Sequence, residues 1–254
     1  RKMKKFLMIA GLLMLSTLLV AGNVGATLVM VLDDPNTVLV GDIVLEDEGF
    51  GGTFGGWTSN TGESLSSIGN DGLINWTGSF AGVAGNTWDV EISTASSNSP
   101  GTTTEATLTF NITVQSTQGG TLDFWVTDTD YNIGNYPGMN AHYELAGTKL
   151  STIGAPSASG EFWIDDGNGH FAQTTAFNPT FPNQPIPFGE SEDDGITGIT
   201  DEFSLTGHVE LIHDVGTKTQ PNFTLIISPV PEPATALLLG IGLLGMAAVR
   251  RRKS

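Results

Sequence analysis

The sequence predicts an all-β protein, a single β-sandwich with a jelly-roll-like arrangement. Three observations carry this. Apolar and polar residues alternate with period two in several short segments. Clusters of Gly, Asn, Ser and Pro separate those segments. No stretch between residues 27 and 229 combines a helical apolar period with capping residues.

The clearest segment is 107–114, where Leu108, Phe110, Ile112 and Val114 share one face and Thr107, Thr109, Asn111 and Thr113 the other. One apolar and one polar face describe a half-buried strand of an antiparallel sheet. Gln118-Gly119-Gly120 then turns the chain into 121–127, which is expected to be the hairpin partner. Further strands are expected at 27–32, 37–45, 72–76, 87–93, 141–145, 160–164, 202–213 and 222–228, where Thr, Val, Ile and aromatic residues suit a pleated surface. Joints are expected at 49–56, 95–101, 132–140 and 178–189. About ten short strands with frequent turns form the pattern of a sandwich or jelly roll.

Both ends of the 254-residue chain differ from this middle. Lys2, Lys4 and Lys5 precede an apolar run over 6–20, followed by small residues at Val24 and Ala26. A basic start, a short apolar core and small residues at −3 and −1 describe a secretory signal, with cleavage expected after Ala26. The other end reads Pro231-Glu232-Pro233, an apolar stretch over 234–249, then Arg250, Arg251, Arg252 and Lys253. Two prolines keep the motif extended and open to a processing enzyme. The apolar stretch predicts a hydrophobic helix, marginal in length for a span, and the basic end would stay cytoplasmic. The expected organisation is a signal peptide at 1–26, an acidic sandwich domain at 27–229 and a tail at 230–254.

Charge follows the same division. The middle retains 26 of the 27 acidic residues and only Lys149 and Lys218 among the basic ones, a net charge near −24. Such a body repels nucleic acid and anionic lipid and tolerates divalent cations. There is no cysteine, which excludes disulfides, thiolate metal sites and a Cys nucleophile.

The tail resembles the PEP-CTERM sorting signal of Gram-negative bacteria, with Pro231, Glu232 and Pro233 matching the family's motif residue by residue. The resemblance implies recognition by an exosortase, a membrane cysteine protease that acts near the motif. It also implies an association with organisms that make exopolysaccharide, biofilm or floc matrix. Two stretches of the middle, 74–130 and 201–233, are similar to a recurrent body of PEP-CTERM proteins. That second likeness implies an extracellular β domain and brings no catalytic residues with it.

Within the middle, Asp128, Asp130 and Asn132 place oxygen side chains at alternate positions after a strand, which suits calcium. Asp165-Asp166-Gly167-Asn168 and the run 190–194 are further candidate calcium loops. Asx and Gly residues also simply make turns. Trp57, Trp76, Tyr131 and Tyr136 are expected on loops or exposed faces, where flat apolar rings with a polar rim stack on sugars; Trp88, Trp125 and Trp163 are expected in the core. His208 and His213 are five apart on an expected strand and so face opposite sides; neither H-E-x-x-H nor a G-x-S-x-G elbow is present. The G-x-G-x-x-G at 240–245 lies inside the apolar tail, not in a βαβ unit, and is no dinucleotide site.

These readings lead to an exported, exosortase-processed protein of the cell surface or extracellular matrix, tethered to the inner membrane through its tail before processing. It is expected to be associated with exopolysaccharide or biofilm, to act in a structural or interaction role, and not to be an enzyme. Exosortase, exopolysaccharide and other surface proteins are its expected partners. The alternative is a calcium-dependent carbohydrate-binding module. That alternative predicts Asx-rich loops and aromatic residues converging at one end of the sandwich.

Overall fold

The computed structural model describes residues 28–36, 43–47, 53–54, 57–58, 72–99, 105–133, 138–173, 177, 179–197, 199 and 202–230. The expected signal cleavage point at Ala26, the motif Pro231-Glu232-Pro233, the apolar stretch after it, the basic end Arg250–Lys253 and Tyr136 lie outside the described residues.

Among the described residues, fourteen strands are formed: β1 Val29–Asp33, β2 Ile43–Glu46, β3 Thr53–Phe54, β4 Trp57–Thr58, β5 Leu73–Ala81, β6 Thr87–Ser97, β7 Ala106–Ser116, β8 Gly120–Tyr131, β9 Met139–Lys149, β10 Ser157–Asp165, β11 Thr180–Pro185, β12 Phe188–Ile196, β13 Phe203–His213 and β14 Lys218–Pro229. A first six-stranded sheet has the order β11-β10-β13-β8-β1-β2, and a second has the order β12-β9-β14-β7-β6-β5. Every pairing within them is antiparallel. One buried apolar cluster draws residues from both sheets, so their inner faces form a shared core. This is a β-sandwich, and the chain crosses between sheets repeatedly after β7, as in a jelly roll.

Alternation is complete in β7 and β14, the central strands of the second sheet. Along β14, Thr219, Pro221, Phe223, Leu225 and Ile227 are buried and the residues between them are half-exposed. The expected hairpin between 107–114 and 121–127 does not form. β7 pairs with β6 and β14, whereas β8 pairs with β1 and β13 in the other sheet. Two features turn the segment between them into an arch. Gly119 and Gly120 have φ of 81° and 134°, and a Cβ on Gly119 would lie 2.7 Å from the His213 carbonyl oxygen. Asn86 Oδ1 accepts Thr117 N at 3.0 Å, Thr117 Oγ1 at 3.2 Å and Gln118 N at 2.9 Å, which pins the arch to β6.

The run 190–194, expected as a calcium loop, lies on β12 at the edge of the second sheet. Acidic residues along an unpaired edge discourage pairing with another chain. Two of them, Glu192 Oε2 and Asp194 Oδ2, lie 2.7 and 2.8 Å from the Tyr143 hydroxyl. Burial first, then these two carboxylates, push the Tyr143 phenol well above its usual range.

Asp34 ties the start of the chain to the second sheet. Its Oδ2 accepts Trp88 Nε1 at 3.0 Å and Val83 N at 3.1 Å, and the residue is 2% exposed. Asp34→Ala strands both donors, so the expected loss is about 1–3 kcal/mol of unfolding free energy, with Asp34→Asn milder because it retains an acceptor. Urea titration of the three proteins checks this; equal midpoints would exclude the role.

Candidate functional site

Three places in the sandwich gather polar or aromatic side chains. The first is the end where β8 closes. Opposite the β8–β13 pairing the register slips between Phe203 and Leu205, and Asp130 takes φ 63°. This bulge breaks the period that places Asp128, Asp130 and Asn132 on one side. Asp128 points inward and is fully buried, Asp130 faces the β10–β11 loop, and Asn132 is exposed. Asp130 N donates to Asn168 Oδ1 at 2.7 Å, and Asn168 Nδ2 donates to Asp130 Oδ1 at 2.6 Å. Two loops read separately from the sequence therefore meet here.

Asp128 Oδ1 accepts Thr129 N at 2.7 Å, and its Oδ2 has no hydrogen-bond partner. Burial raises its pKa from 3.8 to about 7; the Ser97 hydroxyl and the Thr129 amide oppose that rise, and the charges of Asp47 and Asp130 add to it. Among the described residues, no group of three or more His, Cys, Asp or Glu is arranged to hold a metal ion.

Tyr131 closes this end from within. It is 0% exposed, its ring stacks on Phe203 at 5.6 Å, and its hydroxyl donates to the Thr107 carbonyl at 2.8 Å. Its position corrects the expectation of a sugar-facing ring, because neither face reaches solvent. Trp76 is likewise internal, at 3% exposure. Trp57 lies on β4, and Tyr136 lies outside the described residues.

The second place is the outer face of the first sheet. Leu122, Phe124 and Val126 face the core, so Trp125 between them faces outward and is partly exposed. Trp163 also faces outward from β10, although it is only 4% exposed. Trp125, expected in the core, is only half-buried; Trp163, also expected there, is buried, on the face of β10 that strand alternation turns away from the shared core. Trp125 and Phe171 pack on a small second apolar cluster of Val29, Val31 and Val44. The Trp125 ring lies 4.0 Å from His208 at 12° between planes and 5.7 Å from Trp163 at 15°. His208 Nε2 is 3.2 Å from Asp123 Oδ1, and His208 Nδ1 is 3.9 Å from Glu161 Oε2. His213, at the end of the same strand, is buried on the inner side between Ser116 and Thr219.

The third place is the outer face of the second sheet, a polar surface with a shallow groove of about 200 Å³ lined by Thr77, Ser79, Asp89, Glu91, Gln115 and Lys218 among others. Its described lining has hydroxyls, carboxylates and an amine but no aromatic ring.

Comparison with known proteins identifies the tail. The PEP-CTERM protein-sorting motif matches residues 229–253. That match implies export, anchoring in a membrane through the C-terminus before processing, and recognition by an exosortase. No curated protein matches the chain. Among solved structures, TmCBM61 in complex with β-1,4-galactotriose is similar at 8% identity and a TM-score of 0.27, over 55% of this chain and 86% of that one. The K3 cleaved adhesin domain of Lys-gingipain from Porphyromonas gingivalis is similar at 9% identity and a TM-score of 0.24, over 47% of this chain and 74% of that one. The CBM22-1–GH10 modules of Clostridium thermocellum xylanase 10B are similar at 11% identity and a TM-score of 0.24, over 64% of this chain and 27% of that one.

Proposed function

We propose that this exported, exosortase-targeted chain is a non-catalytic protein of the cell surface or extracellular matrix, whose sandwich associates with exopolysaccharide. The observation that supports this most directly is the junction between fold and tail. β14 lies between β9 and β7 in the second sheet and runs to Pro229; the Val230 amide then donates to the Gly138 carbonyl at 3.0 Å. The sorting match begins at residue 229. The motif therefore starts at the rim of the folded domain with no linker between, and cleavage near it would release the sandwich with its central strand intact.

Replacing Pro231, Glu232 and Pro233 together by alanine tests this in the producing strain. The expected outcome is that the unaltered chain appears shortened in the extracellular or matrix fraction, while the altered one stays with the membrane at full length. Identical fractionation of the two would sink the reading.

A calcium-dependent form of the same function draws on Asp128. A cation there would supply the partner that Oδ2 lacks and would offset the charges of Asp47 and Asp130. Co-sedimentation of the purified protein with exopolysaccharide of the producing strain, first in calcium and then in EDTA, separates the two forms. Binding lost in EDTA supports the calcium form, and binding unchanged by EDTA rejects it.

A further inference from the structure

The outer face of the second sheet carries its polar side chains in rows that cross the strands. Register aligns Ser79 on β5, Asp89 on β6, Gln115 on β7 and Lys218 on β14 in one row, and Thr77, Glu91 and Thr113 in the next. Neighbouring strands are about 4.8 Å apart, so the first row runs about 14 Å across the sheet, and the two rows stand about 7 Å apart. The groove of about 200 Å³ lies between them. Its floor is backbone. Val90 turns its side chain into the core, and a Cβ on Gly78 would meet the buried Trp76 ring at 2.2 Å.

The side chains of this groove are unengaged, unlike those beside it. On the same face, Gln220 donates to Asn111 at 2.9 Å, and the Ser96 and Thr109 hydroxyls bond each other at 2.9 Å. Within the groove, Ser79 donates to Asp89 Oδ1 at 2.5 Å. Among the described residues, the side chains of Thr77, Glu91, Thr113, Gln115 and Lys218 make no hydrogen bond or ion pair. Lys218 is one of two basic residues in a middle that holds 26 acidic ones, yet it pairs with none of those described. The groove therefore offers an ammonium and an amide as donors, carboxylates as acceptors and threonine hydroxyls that do either. Its counterpart is a chain dense in hydroxyls, each of which also donates and accepts. Pockets that enclose small ligands have about 300–1,000 Å³, so this smaller, shallow groove suits one side of a polymer. One ammonium against two carboxylates, in a body with a net charge near −24, repels uronate and sulfate groups.

We propose that this groove is a binding site for a neutral glycan chain laid across β5, β6, β7 and β14. The proposal rests on the polysaccharide reading above and assigns that reading a face of the molecule. Lys218 and Gln115 donate to the glycan's hydroxyl oxygens, and Asp89 and Glu91 accept from its hydroxyl hydrogens. The hydroxyls of Thr77 and Thr113 turn to suit the sugar between them. The contacts are hydrogen bonds, so removing any one of the charged partners weakens binding directly.

Affinity electrophoresis of the full-length protein in detergent tests it. The probes are the neutral and the acidic fractions of the producing strain's exopolysaccharide, separated by anion exchange. The expected result is retardation by the neutral fraction in preference to the acidic one. Lys218→Met keeps the aliphatic stem and Glu91→Gln keeps the shape of the side chain. Each should weaken binding to the neutral fraction about tenfold, the worth of one hydrogen bond to a charged group. The two variants change the net charge in opposite directions, so a loss shared by both reports contact and not overall charge. Glu144→Gln on β9, outside the groove, removes the same charge as Glu91→Gln and should bind as the wild type does. Thermal unfolding checks that each variant is folded; should one fail to fold, the other decides together with Gln115→Ala. A folded groove variant that binds as the wild type does would overturn the site and leave the polysaccharide reading standing. So would opposite shifts in Lys218→Met and Glu91→Gln, or an equal loss in Glu144→Gln. Stronger retardation by the acidic fraction would overturn the assignment to a neutral glycan. No retardation of the wild-type protein by either fraction would remove the broader reading, and the groove site with it.

Discussion

Phe223→Ala is expected to cost about 3–5 kcal/mol of unfolding free energy, and Gly207→Ala placed beside it to return part of that loss. Phe223 on β14 stacks on Phe110 of β7 at 4.8 Å and 1° and on Phe162 of β10 at 4.8 Å and 10°. It thus reaches from the second sheet to a partner in the first. There it meets the backbone of Gly207 on β13, where a Cβ would lie 2.1 Å from Phe223 Cζ. No side chain fits in that space while the ring is present. Gly207→Ala alone should therefore destabilise by about 1–3 kcal/mol or more through overpacking. Phe223→Ala alone leaves a cavity beneath Gly207. In the double variant the new methyl enters that cavity, so the two losses should fall short of additive by about 0.5–3 kcal/mol. Urea unfolding of the four proteins measures this coupling. Additive losses would mean that the two residues do not share the space that the packing assigns them.

That pairing shows where local sequence stops being informative. The inward face of β14 could be read from alternation alone, and so could β7, because both are central strands with one buried and one wet face. Gly207 could not be read. Its constraint comes from a ring far away in the chain, and glycine inside a strand otherwise reads as weakness. β11 and β12, which fall in an expected joint and an expected calcium loop, are illegible for a related reason. Thr180–Pro185 carries two prolines and Phe188–Ile196 is mostly carboxylate and glycine. Edge strands pair on one side only, and such residues are tolerated or favoured there. The mistaken hairpin had a physical cause too. Gly119 and Gly120 signal a reversal, but a reversal within a sheet and an arch between sheets have the same local composition. Two of the true partners lie far downstream: β7 pairs with β14 from Gln115↔Lys218 to Ala106↔Ile227, and β8 with β13 from Tyr131↔Phe203 to Gly120↔His213. At the candidate sites the balance was mixed. The alternation around Trp125 was sufficient to place it on the outer face. The bulge that separates Asp128 from Asp130 had no signature in the sequence.

The pH dependence of stability should reveal two buried groups that pull in opposite directions. In the native state burial holds Asp128 protonated up to about 7, against 3.8 when unfolded. Between those values the native state binds more protons than the unfolded one, so its contribution to stability falls as pH rises from about 4 to about 7. His213 is the reverse case. Burial chiefly, against a weaker opposing effect of Asp214, lowers it from 6.5 to about 4. Between those values the unfolded state binds the extra proton, and stability is lost as pH falls. In the window shared by both groups the two slopes cancel, so the wild-type protein hides them. Substitution separates them. Relative to wild type, Asp128→Asn should gain about 4 kcal/mol between pH 4 and pH 7, and His213→Gln should gain about 3 kcal/mol as pH falls from 6.5 to 4. Urea unfolding at half-unit steps of pH, in EDTA, measures both differences. A flat difference for Asp128→Asn would mean that the carboxylate is ionised in the folded protein and that burial does not govern it. Repeating the series with calcium ties this result to function. A cation on Asp128 would replace the proton and stabilise the wild-type protein alone at pH 7, reducing the advantage of the asparagine variant; an advantage unchanged by calcium would leave Asp128 as a buried acid that binds no cation.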